Sequence, residues 1–161
     1  MLVNNQIRWV GNLELLEREK TAFLCSQLTP RSLTPIIQRW ALKTTTDDCI
    51  LCGNESEMEQ VIFAMLLVKR VPIILLLATS LPSSYPQPFQ RAIDEGRLLV
   101  GTHCNDQHCV TRLSAIDRNR LLINLADKVV VGYCTKDGDL DHCTRSLTNV
   151  KYVTYPFDLR R

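Results

Sequence analysis

The stretch Ala115-Ile-Asp-Arg118-Asn119-Arg120-Leu-Leu-Ile-Asn-Leu-Ala-Asp127-Lys-Val-Val-Val-Gly132 decides the fold. Its first part is periodic at helical spacing, with Leu121, Leu122 and Leu125 on one stripe. Its last part is a short apolar run, as expected of a strand with both faces covered. A helix running directly into a buried strand is half of a parallel α/β unit. At about 100° per residue, Arg118 falls on the leucine stripe one turn before Leu121, whereas Arg120 points away and Asn119 lies between them. A cation on a core-facing stripe needs a partner. A place in the opening turns of a helix, at the positive end of its dipole, calls for an anion there.

The rest of the chain repeats the alternation. Apolar runs at residues 21–26, 48–53, 71–77, 98–101, 128–132 and 151–156 read as strands. Between them lie helical patterns. Thr34-Pro35 reads as an N-cap with proline in the first turn of a helix to about Lys43, burying Ile36, Ile37, Trp40 and Ala41. Ser56-Glu-Met-Glu59 reads as a capping box opening a helix to Val68. Residues 89–95 form a helix stopped by Gly96, and residues 140–147 a short one. Ile7–Asn12 is an extended piece and a turn, followed by a short helix from Leu13 to Leu16. The proline-rich segment 81–88 and the aperiodic segment 102–112 read as loops. Strands too apolar to have a wet face, alternating with helices, specify an α/β fold: a doubly wound, mostly parallel Rossmann-like sheet of about six strands with helices on both faces. Such sheets bind ligands beyond the carboxyl ends of their strands. Ser26, Gly53, Ser80, Gly101 and Arg118 should all reach that edge.

At 161 residues the chain is expected to be a single domain, and 45% hydrophobic with 22% charged residues is ordinary for a globular one. A net charge of +2 does not argue nucleic-acid binding on its own. No apolar run is long enough to cross a bilayer, and the first residues carry no export signal, so a cytoplasmic location without membrane partners is expected. Seven scattered cysteines then read as reduced thiols.

Several of these residues resemble a known family. Gly11-Asn12-Leu13-Glu14-Leu15-Leu16, ahead of a strand closed by Cys25-Ser26, is similar to the entry of the Rossmann-like domain in the DNA-processing protein A (DprA/Smf) family. Ile50-Leu51-Cys52-Gly53 resembles the strand and glycine that follow. Arg118-Asn119-Arg120-Leu-Leu, with its later Asp127 and apolar strand, resembles the family's most recognisable block, and Tyr155-Pro156 is similar to a late Val-Pro. The resemblance implies a bacterial, non-catalytic protein that binds single-stranded DNA in a basic pocket, loads a RecA-like recombinase and forms a homodimer. The chain departs from the pattern at Gln27, where the family has arginine, and at Asn54-Glu55-Ser56, where it has Ala-Arg-Gly. Its Gly-Ser-Leu anion cradle is here Gly138-Asp139-Leu140. The family's flanking helical or winged-helix domains are expected to be lacking. With fewer basic groups, a ligand smaller or more weakly held than DNA is expected.

The candidate ligand or phosphate residues are therefore Arg118, Asn119, Ser26, Gly53, Ser80 and Arg120. A guanidinium suits bidentate phosphate recognition, and small residues at strand ends offer hydroxyl and N–H donors. The competing reading of Arg118 is a structural ion pair with Asp117, Glu55 or another loop acid. Arg120 reads as solvent-facing or at a subunit contact. His103-Cys104 and His108-Cys109 are weak candidates for a metal, because adjacent residues chelate one ion poorly. No cofactor is expected. The alternative function is a nucleotide phosphoribohydrolase (N-glycosidase) of the same superfamily, with Glu55 or a neighbouring glutamate as its acid. The Pro-Gly-Gly-x-Gly-Thr loop of those enzymes is missing here, and Glu59 is accounted for by the capping box.

Overall fold

A computed structural model of the chain describes residues 7–154. One seven-stranded sheet has the order β1-β5-β4-β3-β2-β6-β7. Its strands are β1 (Arg8–Gly11), β2 (Thr21–Leu24), β3 (Ile50–Cys52), β4 (Ile73–Leu77), β5 (Leu98–Thr102), β6 (Lys128–Val131) and β7 (Val150–Tyr152). All pair in parallel except β1, which runs antiparallel along β5 with Trp9 opposite Gly101. The expected six-strand sheet is present, and the extended piece before Asn12 adds a seventh strand at its edge. Its partner lies some ninety residues away, a pairing that local periodicity does not carry.

The helices are α1 (Thr34–Leu42), α2 (Glu57–Val68), α3 (Gln87–Asp94), α4 (Arg112–Leu125) and α5 (Asp139–Thr144), with 3-10 turns at Leu13–Glu17 and Arg31–Leu33. Two cores result, one on each face of the sheet. Ile37, Ala41, Ile62 and Leu66, from α1 and α2, meet Phe23, Ile73, Leu75 and Val100 on one face. Leu122 of α4 and Leu140 of α5 meet Leu24, Ile74, Leu76 and Val131 on the other. Residues 71–77 read as an unbroken apolar run because neighbours along a strand point to opposite faces and both faces are covered.

Several expectations are corrected. α4 begins at Arg112 rather than near Ala115, because Thr111 caps it: the Thr111 hydroxyl accepts from Ser114 N, and the Ser114 hydroxyl accepts from Thr111 N. Thr34 is not a cap. It is already helical, because the Arg31–Leu33 turn feeds straight into α1 and leaves Leu33 at the cap position without a side-chain bond. Ile36 is 43% exposed while Ile37 is fully buried, so the inward stripe of α1 runs through Ile37 and Ala41. Trp40 is half-buried and stacks on Phe23 with ring centroids 4.9 Å apart. The late helix ends at Thr144, short of Leu147. Tyr155-Pro156 lies outside the described residues. No helix among those described is long and apolar enough to cross a membrane.

The two isoleucines offer a direct check. Ile37→Ala leaves a cavity against the sheet and should lower unfolding free energy by about 2–5 kcal/mol. Ile36→Ala should change it by less than about 0.5 kcal/mol. Urea denaturation of the two variants measures both, and similar losses would contradict the facing of α1.

Candidate functional site

The chain builds outward from β2 in two directions: β3, β4 and β5 are added on one side, β6 and β7 on the other. At such a reversal the connections leave to opposite faces and open a crevice beyond the strand ends. A cleft of about 420 Å³ occupies that place. Ser26 and Gln27 after β2, Gly138 and Asp139 after β6, and Arg112 and Asn119 of α4 line it. Ser26 fastens the two strand ends together. Its N–H donates to Tyr133 O at 2.9 Å, and its hydroxyl accepts from Thr135 N at 3.0 Å. Cys25, also in the wall, is no ready nucleophile, since burial pushes its thiol up to about 11.

Arg118 lies in the same wall but is only 2% exposed. Its Nη1 donates to Glu55 Oε2. Its Nη2 lies 3.8 Å from Glu59 Oε1, and its Nε donates to Asn119 Oδ1 at 3.0 Å. Among the acids that could pair with it, the fold selects Glu55, because the β3–α2 connection and α4 converge over the same strand ends. Gly53 makes this possible by steric default: a Cβ there would coincide with the guanidinium. The helix-dipole part of the sequence argument is corrected. With α4 starting at Arg112, Arg118 sits well beyond the opening turn, where the terminal field has faded. What it answers is carboxylate charge.

Glu59 closes the cluster from below. Its Oε2 accepts from Glu55 N at 3.2 Å and Ser56 N at 3.1 Å, while the Ser56 hydroxyl accepts from Glu59 N, completing the expected capping box. Burial holds the Glu59 carboxyl above the usual range, opposed by Arg118 and reinforced by Glu55. One guanidinium thus serves two carboxylates, and the buried cluster is short of positive charge.

The other sequence candidates separate. Asn119 and Ser26 join Arg118 at the cleft, and Gly53 stands behind the guanidinium. Ser80 faces elsewhere: its hydroxyl donates to Asn105 O at 3.0 Å and accepts from Gln107 N at 2.8 Å, tying the end of β4 to the loop before α4. Arg120 faces solvent, 3.8 Å from Asp117. His103 and Cys104 are neighbours, Nε2 to Sγ 3.7 Å, with Cys104 buried and Cys109 exposed. Burial lowers the His103 pKa below its ordinary value. Among the described residues no three His, Cys, Asp or Glu side chains gather as a metal site would require. Arg112 is the cleft residue that sequence reading missed. Its side chain is 81% exposed and forms a fork on Asp139, Nε to Oδ2 at 2.9 Å and Nη2 to Oδ1 at 2.7 Å. The Thr111/Ser114 pair was the signal that it opens the helix rather than ending the loop.

No protein-family model and no curated protein matches the chain. Solved structures do. The X-ray structure of DNA processing protein A (DprA) from Streptococcus pneumoniae superposes with a TM-score of 0.69 at 18% identity, over 86% of this chain and 51% of that one. A structure of DNA processing protein A from Helicobacter pylori, described for its single-stranded DNA binding mode, gives a TM-score of 0.61 at 20% identity, over 86% and 65%. The fold is therefore DprA-like and Rossmann-like, and the chain spans between half and two thirds of the length of these neighbours.

Arg118→Ala strands the buried Glu59 and the partly buried Glu55 and should cost about 3–5 kcal/mol of stability in chemical denaturation; a loss below about 1 kcal/mol would show that the cluster is not holding α4 in place. For Glu59, burial sets the folded pKa above the unfolded one. The stability it confers is then fully present below the unfolded carboxylate range and is lost as pH rises through the folded value. The stability margin of the wild type over Glu59→Gln should accordingly shrink as pH rises above the ordinary carboxylate range, about 4. A margin that widens as pH rises would reverse the assignment.

Proposed function

We propose that the chain is a non-catalytic, DprA-like binding domain that takes single-stranded DNA or a nucleotide by its phosphate, in the cleft where β2 and β6 part. The observation that carries this is the pairing of an exposed arginine with a helix start in that cleft. Arg112 stands at the first position of α4, beside backbone N–H groups that the Thr111 cap leaves unused. The only acceptor holding its guanidinium among the described residues is Asp139, in an exposed pair. Exposed pairs are weak, so a phosphate can compete for this one. Asn119 gives its side-chain oxygen to Arg118, and among the described residues its NH2 group keeps no protein acceptor, leaving it to donate into the cleft.

In this reading Arg118 is a positioning residue that holds Asn119 and the wall, and Ser26 fixes the opposite rim. Ser80 and Arg120 stand outside the contact set. Glu55 and Glu59 are engaged with Arg118 and backbone N–H groups, which supports binding without hydrolysis over the phosphoribohydrolase alternative. The DprA-like fold and the Helicobacter pylori neighbour's described single-strand binding support the choice of nucleic acid. A homodimer and a RecA-like recombinase partner belong to the same proposal and rest on the family resemblance alone.

Fluorescence anisotropy with a labelled oligothymidylate and a labelled nucleotide tests it. Binding should weaken as salt rises, and Arg112→Ala should lower affinity about tenfold and flatten the salt slope by about one counterion. Failure of both probes to bind, or unchanged affinity in an Arg112→Ala, Asn119→Ala double variant, would remove the cleft assignment.

A further inference from the structure

At the opposite end of the sheet, before β4 and β5, three arginines converge on one carboxylate. Arg97 Nε lies 2.7 Å from Glu95 Oε2, Arg70 Nη2 3.0 Å from the same oxygen, and Arg91 Nε 3.7 Å from Oε1. The three guanidiniums hold Glu95 below the ordinary carboxylate range, the Arg97 bond contributing most. One pair is enough for a structural task, and Arg97 fills it: its side chain is 15% exposed, and its Nη1 also donates to Leu67 O at 3.5 Å. Arg70 and Arg91 are 59% and 76% exposed, where an ion pair contributes little and each adds repulsion to the others.

The backbone at Arg70 makes its presence harder to explain as packing. α2 and α3 end in the same Schellman motif. In α3, Gly96 N bonds Ile93 O at 3.0 Å and Arg97 N bonds Ala92 O at 2.9 Å, with Gly96 at φ 73°. In α2, Arg70 N bonds Leu67 O at 3.1 Å and Val71 N bonds Leu66 O at 3.0 Å, with Arg70 at φ 61°. One position is glycine, the residue that fits left-handed backbone. Its counterpart is an arginine, held in a conformation that L side chains avoid. The effect is to bring a third guanidinium to Glu95, beside a cavity of about 390 Å³ between the end of α2 and α3. Arg70, Arg91 and Arg97 line it together with Leu67, Val68 and Pro88, and no carboxylate is among its lining residues. Val68 there is left largely exposed.

We propose that this cavity is a phosphate-binding site, separate from the switch-point cleft. Glu95 neutralises one of three cations, and the remaining two charges match a phosphate group, whose oxygens can take guanidinium N–H donors bidentately. The apolar wall of Leu67, Val68 and Pro88 suits the organic part of a phosphate ester. A phosphate monoester and the phosphodiester backbone of a nucleic acid share this chemistry.

The decisive variant is Arg70→Gly. Glycine relieves the left-handed backbone, so the variant should be at least as stable as the wild type while losing a guanidinium. Inorganic phosphate, a nucleoside monophosphate and an oligothymidylate are titrated in turn by isothermal calorimetry. Wild type should bind inorganic phosphate. In an Arg112→Ala background, which removes the guanidinium of the switch-point cleft, phosphate binding should persist, and adding Arg70→Gly or Arg91→Ala should weaken it about tenfold. Tighter binding of the monophosphate than of the oligonucleotide marks the site as one for phosphate monoesters, and the reverse order marks it as a backbone contact. No phosphate binding by the wild type overturns the proposal. So does unchanged affinity when Arg70→Gly is added to a folded Arg112→Ala protein, or complete loss of phosphate binding in Arg112→Ala alone.

Discussion

The buried guanidinium of Arg118 is the constraint on which the carboxyl edge of the sheet depends. α4 packs on one face of the sheet and α2 on the other, so they meet only around its carboxyl edge. Arg118 spans that edge, taking Glu55 from the β3–α2 connection, Glu59 from the first turn of α2 and Asn119 from its own helix. Each member needs the others. Without the cation two carboxylates face a low-dielectric wall, and without the carboxylates a guanidinium is buried alone. Gly53 is part of the same requirement, because its missing side chain is the space that the guanidinium fills. Together with the apolar packing of Leu122 on the sheet, this long-range cluster positions α4 and the cleft that α4 borders.

Much of this was legible because it is local. The apolar runs of β3 to β6 have the length and composition of strands covered on both faces. Ser56 and Glu59 form their capping box within four residues. The stripe through Leu122 put Arg118 inward and Arg120 outward, and the structure has them so. What could not be read is non-local or chemically muted. That Glu55 rather than Asp117 takes Arg118 depends on two segments sixty residues apart arriving together. The start of α4 escaped notice because its box closes with Ser114, not with Glu or Gln. Moving that start back to Arg112 changes the electrostatic account, since Arg118 leaves the dipole end and Arg112 occupies it.

The departures from the DprA pattern acquire a physical sense in this frame. Glu55 falls where the family has arginine, and it is the residue that neutralises Arg118. Gln27, where the resemblance implies another arginine, lines the cleft. Both residues act in the same direction, leaving the inner charge of this cleft balanced. Of the two arginines in its lining, one is buried against carboxylates and the other stands exposed at a helix start. In the proposed reading an anion is met at the rim of the cleft rather than at its floor.

Charge that is balanced at one edge is left over at the other. Three guanidiniums surround a single carboxylate where β4 and β5 begin, and one of them stands on left-handed backbone that the matching turn in α3 gives to glycine. Helix ends attract cations through their dipoles, which accounts for basic residues near the ends of α2 and α3 in general. It does not account for the convergence of three on one acceptor, nor for backbone strain accepted to add the third. A dipole is satisfied by charge anywhere within the last turn, whereas convergence is a demand of geometry. The two edges of the sheet thus differ in kind: one has its cation enclosed by acids, and the other keeps cations in excess around an open cavity.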